Sequence, residues 1–325
     1  MDLIIKPTQQ CNFACEFCSS NKITEHEENT LPLKNIFDFL LYNQVSSIIV
    51  NGGDPLMMPP SYYESIIKFI YEHNISTRLS LTTNLWDFKL HPDKWVPLFK
   101  CDLVGVTTSF QYGGERKLKY GIPFTEKMFV NVMDLFYKKI GYMPEFISVI
   151  TEKNENDVIK TVQLAKRFET RCKINPAVQS GRCIKFYPIH KAFKKYLDII
   201  EFGLSDYEFN ASVLKDVMSG KNTCCPYLRD CFKYIRTINP DGKIFTCGSF
   251  QDDSIVSKNY DISISKENEI QKDYQVLKSE CYACEMFSYC NSCYKQIADI
   301  KNNDYVKKHC IGMKKQIQRK RALLG

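Results

Sequence analysis

The sequence predicts an α/β fold, a partial (β/α)6 TIM-like barrel followed by a small cysteine-rich domain. Three observations lead there. Six short β-branched runs alternate with longer segments of helical periodicity up to about residue 190. That alternation then fades, and from Cys224 onward the chain is rich in cysteines, with short strand-like pieces and turns such as "NPDGK". Repeated β-α units of this length imply a parallel sheet covered by helices, and six of them make an open barrel.

The first strand is "LIIK" (3–6). A helical stretch over 33–43 leads to "SIIVN" (47–51), and a second over 61–73 leads to "LSLTT" (79–83). The fourth strand, "LVGVTT" (103–108), is followed by helical periodicity over 124–139; the fifth, "FISVI" (146–150), by 155–167; the sixth is "CKIN" (172–175). Residues 1–190 are therefore expected to form the barrel, 191–223 one or two linking helices, and 224–325 the cysteine-rich domain. Ligands of parallel β/α architectures sit at the carboxyl ends of the strands, so the chemistry is expected in the loops that follow them.

The 325 residues are 44% hydrophobic and 25% charged, which suits a globular protein with a large core. The start "MDLIIKPTQQ" has no basic region followed by an apolar stretch, and no run of about 18 apolar residues occurs. Neither a signal peptide nor a membrane span is supported, and a cytoplasmic location is expected. In a reducing compartment 15 cysteines, seven of them in C-x2-C or C-x3-C spacings, suit metal centres rather than disulfides. The net charge of +7 comes partly from the tail "KKQIQRKRALLG". Such a cluster is usually a solvated helix end, so nucleic-acid binding is not the leading reading.

The stretch "QQCNFACEFCSS" puts Cys11, Cys15 and Cys18 in the loop directly after the first strand. An iron-sulfur cubane normally takes four thiolates, so three leave one iron open to another ligand. A zinc site is the alternative use of such cysteines.

This arrangement resembles the radical S-adenosylmethionine (SAM) enzymes, whose CxxxCxxC motif would be Cys11, Cys15 and Cys18, with the aromatic Phe17 before the last cysteine. The resemblance implies that the open iron chelates the amino and carboxylate groups of SAM. It also implies that an electron from the cluster cleaves the sulfonium to a 5'-deoxyadenosyl radical, which removes a hydrogen atom from substrate. "NGGDPL" (51–56), after the second strand, is similar to the family's GGEPL motif, and adjacent glycines let a backbone approach closely. Gly52, Gly53 and Asp54 are its implied contacts to the SAM amino group. "LTTNLW" (81–86) stands where relatives carry Ser/Thr-Asn-Gly, which implies Thr83 and Asn84. "TTSFQYGGERK" (107–117) falls where many relatives have Ser-x-Asp-Gly followed by an arginine, which makes Ser109 and Arg116 candidates for the SAM carboxylate. Gln111 stands there in place of an acid. Each of these polar residues also reads as an ordinary loop residue.

The second cysteine array runs Cys225-x5-Cys231, Gly242-x4-Cys247, Cys281-x2-Cys284-x5-Cys290-x2-Cys293 and Cys310. It resembles the SPASM extension of radical SAM enzymes, which occurs in anaerobic sulfatase-maturing enzymes and many peptide maturases. The resemblance implies two auxiliary 4Fe-4S clusters, one on Cys225, Cys231, Cys247 and Cys293, the other on Cys281, Cys284, Cys290 and Cys310. The central group ends in an x2 spacing where the family more often has x3, which leaves ligand exchange between Cys293 and Cys310 open. Zinc is again the alternative, although the central pairs lie closer together than in a zinc ribbon. Cys101, Cys172 and Cys183 are expected in the core. Cys224, beside an implied ligand, is a candidate for returning a hydrogen atom to a substrate radical, or for replacing Cys225.

Together the resemblance implies a radical SAM enzyme with three 4Fe-4S clusters, one SAM-binding and two auxiliary. It would modify a side chain of a ribosomal peptide or protein by oxidation, crosslinking or epimerisation. Implied partners are the peptide or protein substrate and an electron donor such as flavodoxin or ferredoxin; since the first strand begins at residue 3, a leader peptide is expected to bind either the catalytic domain or a separate leader-peptide-binding protein. The same chemistry on a nucleotide, a nucleic-acid base or a small metabolite is one alternative. A non-catalytic iron-sulfur or zinc protein is the other.

Overall fold

The structure, a computed structural model, describes residues 1–21, 23, 29–221, 234–245, 300 and 303–323. The chain divides into two compact units, one of residues 1–145, 180–182 and 231–264, the other of 146–179, 183–230 and 265–325.

In the first unit, strands β1 (Asp2–Ile5), β2 (Ser47–Val50), β3 (Leu79–Thr82) and β4 (Val104–Ser109) run parallel in the order β4-β3-β2-β1. Each lies within two residues of its expected position. Their side chains alternate: Leu3, Ile5, Ile48, Val50, Leu79 and Leu81 are fully buried, while Ile4, Ile49 and Ser80 are half-buried. The register places Leu3 opposite Ile48 and Ile48 opposite Leu79, so the buried residues form one continuous row.

Two short strands lie past Cys224, where the sequence leads one to expect strand-like pieces without bounds or partners. Strand β7 (Ile235–Ile238) pairs in parallel with β1, Ile4 opposite Thr237, and β8 (Ile244–Phe245) folds back antiparallel on β7. The "NPDGK" segment makes the turn between them, where Gly242 adopts φ +80° and donates its N–H to the Asn239 carbonyl. That φ is open to glycine at little cost.

The helices of this unit are α1 (Leu33–Tyr42), α2 (Pro60–Glu72), α3 (Trp86–Leu90), α4 (Pro92–Phe99) and α5 (Glu126–Ile140). In α5 the buried residues Phe129, Val132, Met133 and Phe136 fall at i, i+3, i+4 and i+7, one face of the helix. Thr125 caps its start by accepting the Met128 N–H, and Gly141 ends it at φ +102°. Helices α3 and α4 were not expected, because Pro92 and Pro97 interrupt the sequence pattern. Pro92 opens α4, where its missing N–H costs nothing. The rings of Phe88, Trp95, Phe99 and Phe136 pack together with centroids 5.4–5.9 Å apart. Burying each such ring contributes about 1.5–3 kcal/mol.

In the second unit, β5 (Glu145–Ile150) pairs in parallel with β6 (Cys172–Pro176), and α6 (Val158–Arg167) makes the crossover between them. Helices α7 (Ile189–Glu201) and α8 (Phe209–Met218) occupy the stretch expected as linking helices. Both pin β6: Tyr196 Oη and Asn210 Nδ2 donate to the Ile174 carbonyl at 2.7 and 2.6 Å, and Glu208 accepts the Ile174 N–H at 2.8 Å. Helices α9 (Val306–Lys314) and α10 (Ile317–Ala322) follow, and Arg319 of α10 bonds Asp198 and Glu201 of α7. Among the described residues no helix is long and apolar enough to cross a membrane.

Candidate metal centre

The loop after β1 carries Cys11, Cys15 and Cys18, and three other segments of the first unit hold it in shape. The loop after β2 lies along it: Gly53 N–H donates to Thr8 O at 2.9 Å and Asp54 N–H to Gln10 O at 2.8 Å. The segment after β4 lies along its other side, with Ala14 N–H on Lys117 O at 2.7 Å, Glu16 N–H on Glu115 O at 3.0 Å and Lys119 N–H on Asn12 O at 2.9 Å. Arg182 donates its backbone N–H to Cys18 O at 2.9 Å. Phe13 anchors the loop's middle in the aromatic core, 5.1 Å from Phe124 and 6.3 Å from Trp86.

Gly52 and Gly53 are both required by this contact. A Cβ on Gly53 would stand 2.1 Å from Gln10 O, and one on Gly52 would stand 2.7 Å from Thr8 O with φ at +114°. The glycines therefore let the "NGGDPL" strip press against the residue immediately before Cys11.

Asp54 and Thr83 hold each other. Asp54 is 2% exposed, and its carboxyl accepts the Leu56 N–H, the Thr83 hydroxyl and the Asn84 N–H at 2.8–3.0 Å. Burial raises its pKa above the ordinary range, against the lowering effect of those hydrogen bonds. Thr83 Oγ1 also accepts the Leu85 N–H at 3.0 Å. Leu85 occupies the position where related motifs have glycine, and it takes the left-handed conformation, φ +58°, with its side chain fully buried. That conformation costs about 1–2 kcal/mol, which its burial offsets.

Ser109 and Arg116 also come together. Arg116 is 6% exposed and donates Nη1 to Ser109 Oγ at 2.9 Å and Nη2 to Gln111 Oε1 at 3.1 Å. Its guanidinium lies 5.3 Å from the centre of the Phe17 ring. Gln111 thus accepts from the arginine, as the acid expected there would. Two buried donors in this group, Arg116 Nε and Gln111 Nε2, have no hydrogen-bond partner among the described residues. Buried donors left unpaired are costly, and their pairing with an acceptor-rich ligand such as a carboxylate would remove that cost.

The thiols feel the same surroundings. Burial pushes the Cys11 thiol far up, and the Asp54 carboxyl pushes it further. The Cys18 thiol is raised by burial as well, with Arg182 and Arg116 pulling it back. Such thiols become thiolates when a metal supplies positive charge. Among the described residues no set of three or more His, Cys, Asp or Glu side chains is grouped as for one metal ion. A cubane spreads its thiolates over different irons, and three thiols in one clamped loop fit that group. The donor set therefore fits a three-thiolate cluster with a carboxylate-bearing ligand beside it.

Sequence reasoning missed Asn12, inside the cysteine loop, whose Oδ1 accepts from Asn84, and Arg182, whose backbone N–H holds the loop at Cys18; only the position of Asn12 inside the motif pointed to it. Cys172 and Cys183 are buried, as expected of core cysteines, and donate to the Tyr207 and Lys185 carbonyls, while Cys101 is half-buried. Cys310 lies half-exposed on α9 in the second unit. Cys224, Cys225, Cys231, Cys247, Cys281, Cys284, Cys290 and Cys293 lie outside the described residues.

Comparison with known proteins agrees with this geometry. Residues 5–165 match the family described as the radical SAM superfamily. The chain is 25% identical over 255 residues to the mycofactocin maturase MftC of Mycobacterium tuberculosis, covering 74% of this chain and 62% of that one. It is 32% identical over 89 residues to the GTP 3',8-cyclase of Sulfurovum sp., covering 26% of this chain and 27% of that one. These matches thus span about a quarter of the cyclase's length and less than two thirds of the maturase's. Among solved structures, anSMEcpe with bound AdoMet superposes with a TM-score of 0.70 at 17% identity, covering 96% of this chain and 98% of that one. The same protein with AdoMet and the Cp18Cys peptide gives 0.69. This likeness shows the fold, a partial (β/α)6 barrel with a C-terminal cysteine-rich region. The match to the radical SAM superfamily thus extends over just under half of the chain, from the first strand through the sixth helix.

Proposed function

We propose that the protein is a radical SAM enzyme that modifies a side chain of a peptide or protein. The observation that carries this reading is the clamped cysteine loop, with three thiols and the unpaired donors of Arg116 and Gln111 beside it. Cys11, Cys15 and Cys18 would hold a 4Fe-4S cluster, and the Arg116–Gln111–Ser109 group would receive the carboxylate of SAM. The backbone of Gly52 and Gly53 would line the amino end. The Asp54 and Thr83 side chains are engaged with each other, and their part is to fix that strip and the loop after β3. When bound, the cluster and SAM supply reductive cleavage of the sulfonium and, with it, a radical that abstracts hydrogen from unactivated carbon. This chain's residues orient the cofactor and keep the cysteine loop packed against the aromatic core.

The peptide class rests on the relatives: MftC is a maturase, and anSMEcpe was solved with a bound peptide. The cysteine array of 224–325 extends the proposal to a SPASM-like domain with two auxiliary clusters. Cys225, Cys231, Cys247 and Cys293 would hold one, and Cys281, Cys284, Cys290 and Cys310 the other. These would offer a route for an electron to leave the substrate radical, while a flavodoxin- or ferredoxin-type partner would donate the electron that reduces the first cluster. A separate leader-binding protein and Cys224 as hydrogen donor belong to the same proposal.

The test is anaerobic reconstitution with iron and sulfide, followed by iron counting. Three clusters give about 12 irons per chain, and a Cys11/Cys15/Cys18→Ala variant should lose about four of them. Incubation of the loaded protein with SAM, a reductant and peptides encoded beside its gene should then yield a peptide of altered mass. Failure of the triple variant to lose iron would contradict the assignment of the first cluster.

A further inference from the structure

The carboxamide of Asn84 uses both of its donors and accepts one bond, and one of its partners is a cysteine sulfur. Its Oδ1 accepts the Trp86 N–H at 2.8 Å. That bond settles which way the amide faces, because an NH2 group there would oppose a donor. Nδ2 must then point at the cysteine loop, where one proton reaches Asn12 Oδ1 at 2.7 Å and the other faces Cys11 Sγ at 3.8 Å. Asn84 is 6% exposed, so water does not compete for these protons. The residue is also held from behind, since its own N–H is bonded to Asp54 Oδ2 at 2.8 Å and the next residue is locked to Thr83. Cys11 Sγ has a second donor, the Phe13 backbone N–H at 3.3 Å.

We infer that Asn84 is a fixed hydrogen-bond donor to the Cys11 sulfur and raises the reduction potential of the cluster bound there. This rests on the reading that Cys11, Cys15 and Cys18 hold an iron-sulfur cluster. Hydrogen bonds to the sulfurs are among the factors that set cluster potentials. A donor withdraws electron density from the thiolate and favours the reduced, more negative cluster, so its removal should lower the potential. Asp54, Thr83 and Asn12 act through Asn84 as positioning residues. The "NGGDPL" strip and the "LTTNLW" turn thereby become parts of the cluster's surroundings.

The test compares full-length reconstituted wild type with Asn84→Ala and Asn84→Asp. Asn84→Asp keeps an acceptor for the Trp86 N–H and loses both side-chain donors, so it retains the turn where Asn84→Ala does not. The first readout is the midpoint potential of the N-terminal cluster by EPR-monitored titration. To isolate that cluster, the auxiliary signals are taken from the Cys11/Cys15/Cys18→Ala variant and subtracted. The second readout is the exchangeable-proton coupling at the reduced cluster, compared in H2O and D2O. The inference expects a more negative midpoint in Asn84→Ala, and one exchangeable coupling lost in Asn84→Asp while the coupling from the Phe13 N–H remains. An unchanged or more positive midpoint in a loaded Asn84→Ala protein would overturn it. So would an exchangeable coupling that persists in full in Asn84→Asp, which decides the matter if Asn84→Ala does not take up iron. Wild type that binds no N-terminal cluster would instead sink the enzyme reading and this inference together.

Discussion

Replacing Gly53 by alanine tests how closely the cysteine loop and the glycine strip approach. The added Cβ would stand 2.1 Å from Gln10 O and 2.5 Å from the Gln9 carbonyl, where ordinary contact begins at 3.4 Å. Every atom it meets is backbone, so no side chain can swing aside and the loops must separate by more than 1 Å. Separation on that scale breaks the Gly53–Thr8 and Asp54–Gln10 hydrogen bonds. Each such bond is worth about 1 kcal/mol net, and overpacking costs about 1–3 kcal/mol more. A loss of about 3–5 kcal/mol follows, a factor of about a hundred or more in the folding equilibrium. Gly105→Ala is the matched control, because its Cβ would meet nothing within 4 Å. Alanine there should be neutral or stabilising by about 0.5–1 kcal/mol. The chain's two tryptophans, Trp86 and Trp95, both lie in the first unit, so guanidinium unfolding followed by their fluorescence reports on it directly. Iron content after reconstitution gives the second reading, and Gly53→Ala should load less iron because Gln10 precedes Cys11. A Gly53→Ala protein that unfolds and loads like Gly105→Ala would refute the close approach of the two loops.

Other consequences are open to measurement. Arg116→Ala removes the guanidinium from beside Phe17 and Ser109, and should weaken SAM binding by about tenfold to a hundredfold, the worth of one charge-assisted hydrogen bond; Arg116→Lys should lose less. Equilibrium dialysis against the loaded protein checks this, and equal affinity in all three would remove Arg116 from the cofactor site. Glu208, wholly buried between β6 and α8, has its carboxyl pushed up to about 7, chiefly by burial, against backbone hydrogen bonds from Ile174, Ala211 and Asn210 and the charge of Lys173. Because the folded pKa is raised, its contribution to stability is full below the unfolded value near 4.5 and is lost as pH rises to about 7. The loss is about 3 kcal/mol. The stability difference between wild type and Glu208→Gln should therefore change across pH 5 to 7.5, and a flat difference would show that Glu208 titrates normally. Treating the loaded protein with an iron chelator under reducing conditions should destabilise it, since a ligand bound only to the folded state adds to its stability. Unchanged unfolding after iron removal would mean the cysteine loop is held without the metal.

Much of the first unit was legible because its signals are local. The runs at 3–6, 47–51, 79–83 and 103–108 alternate buried with more exposed residues, and α5 shows a four-residue apolar face at i, i+3, i+4 and i+7. The β7–β8 turn was visible in "NPDGK", yet its partner was not: β7 pairs with β1 across more than two hundred residues, and local pattern carries no record of that. Proline hid α3 and α4, since the rule that Pro ends helices competes with the rule that it opens them. The site was legible as a set of motifs and illegible as a network. Cys11, Gly53, Asp54, Thr83, Asn84 and Arg116 could each be found by type and spacing. That Asp54 turns inward to Thr83 and Asn84, and that Asn84 faces a cysteine, depends on side-chain direction and burial, which spacing does not encode. Leu85 shows the limit well, because a left-handed position normally read from glycine is filled by a buried leucine.

The most direct test of the central claim is SAM cleavage by the anaerobically reconstituted protein under dithionite, read as 5'-deoxyadenosine, with Cys15→Ala beside it. The account predicts that wild type forms the nucleoside and that the variant, lacking one thiol of the clamped loop, forms none. A wild type that holds its iron, receives SAM and candidate peptides, and still releases no 5'-deoxyadenosine would contradict it.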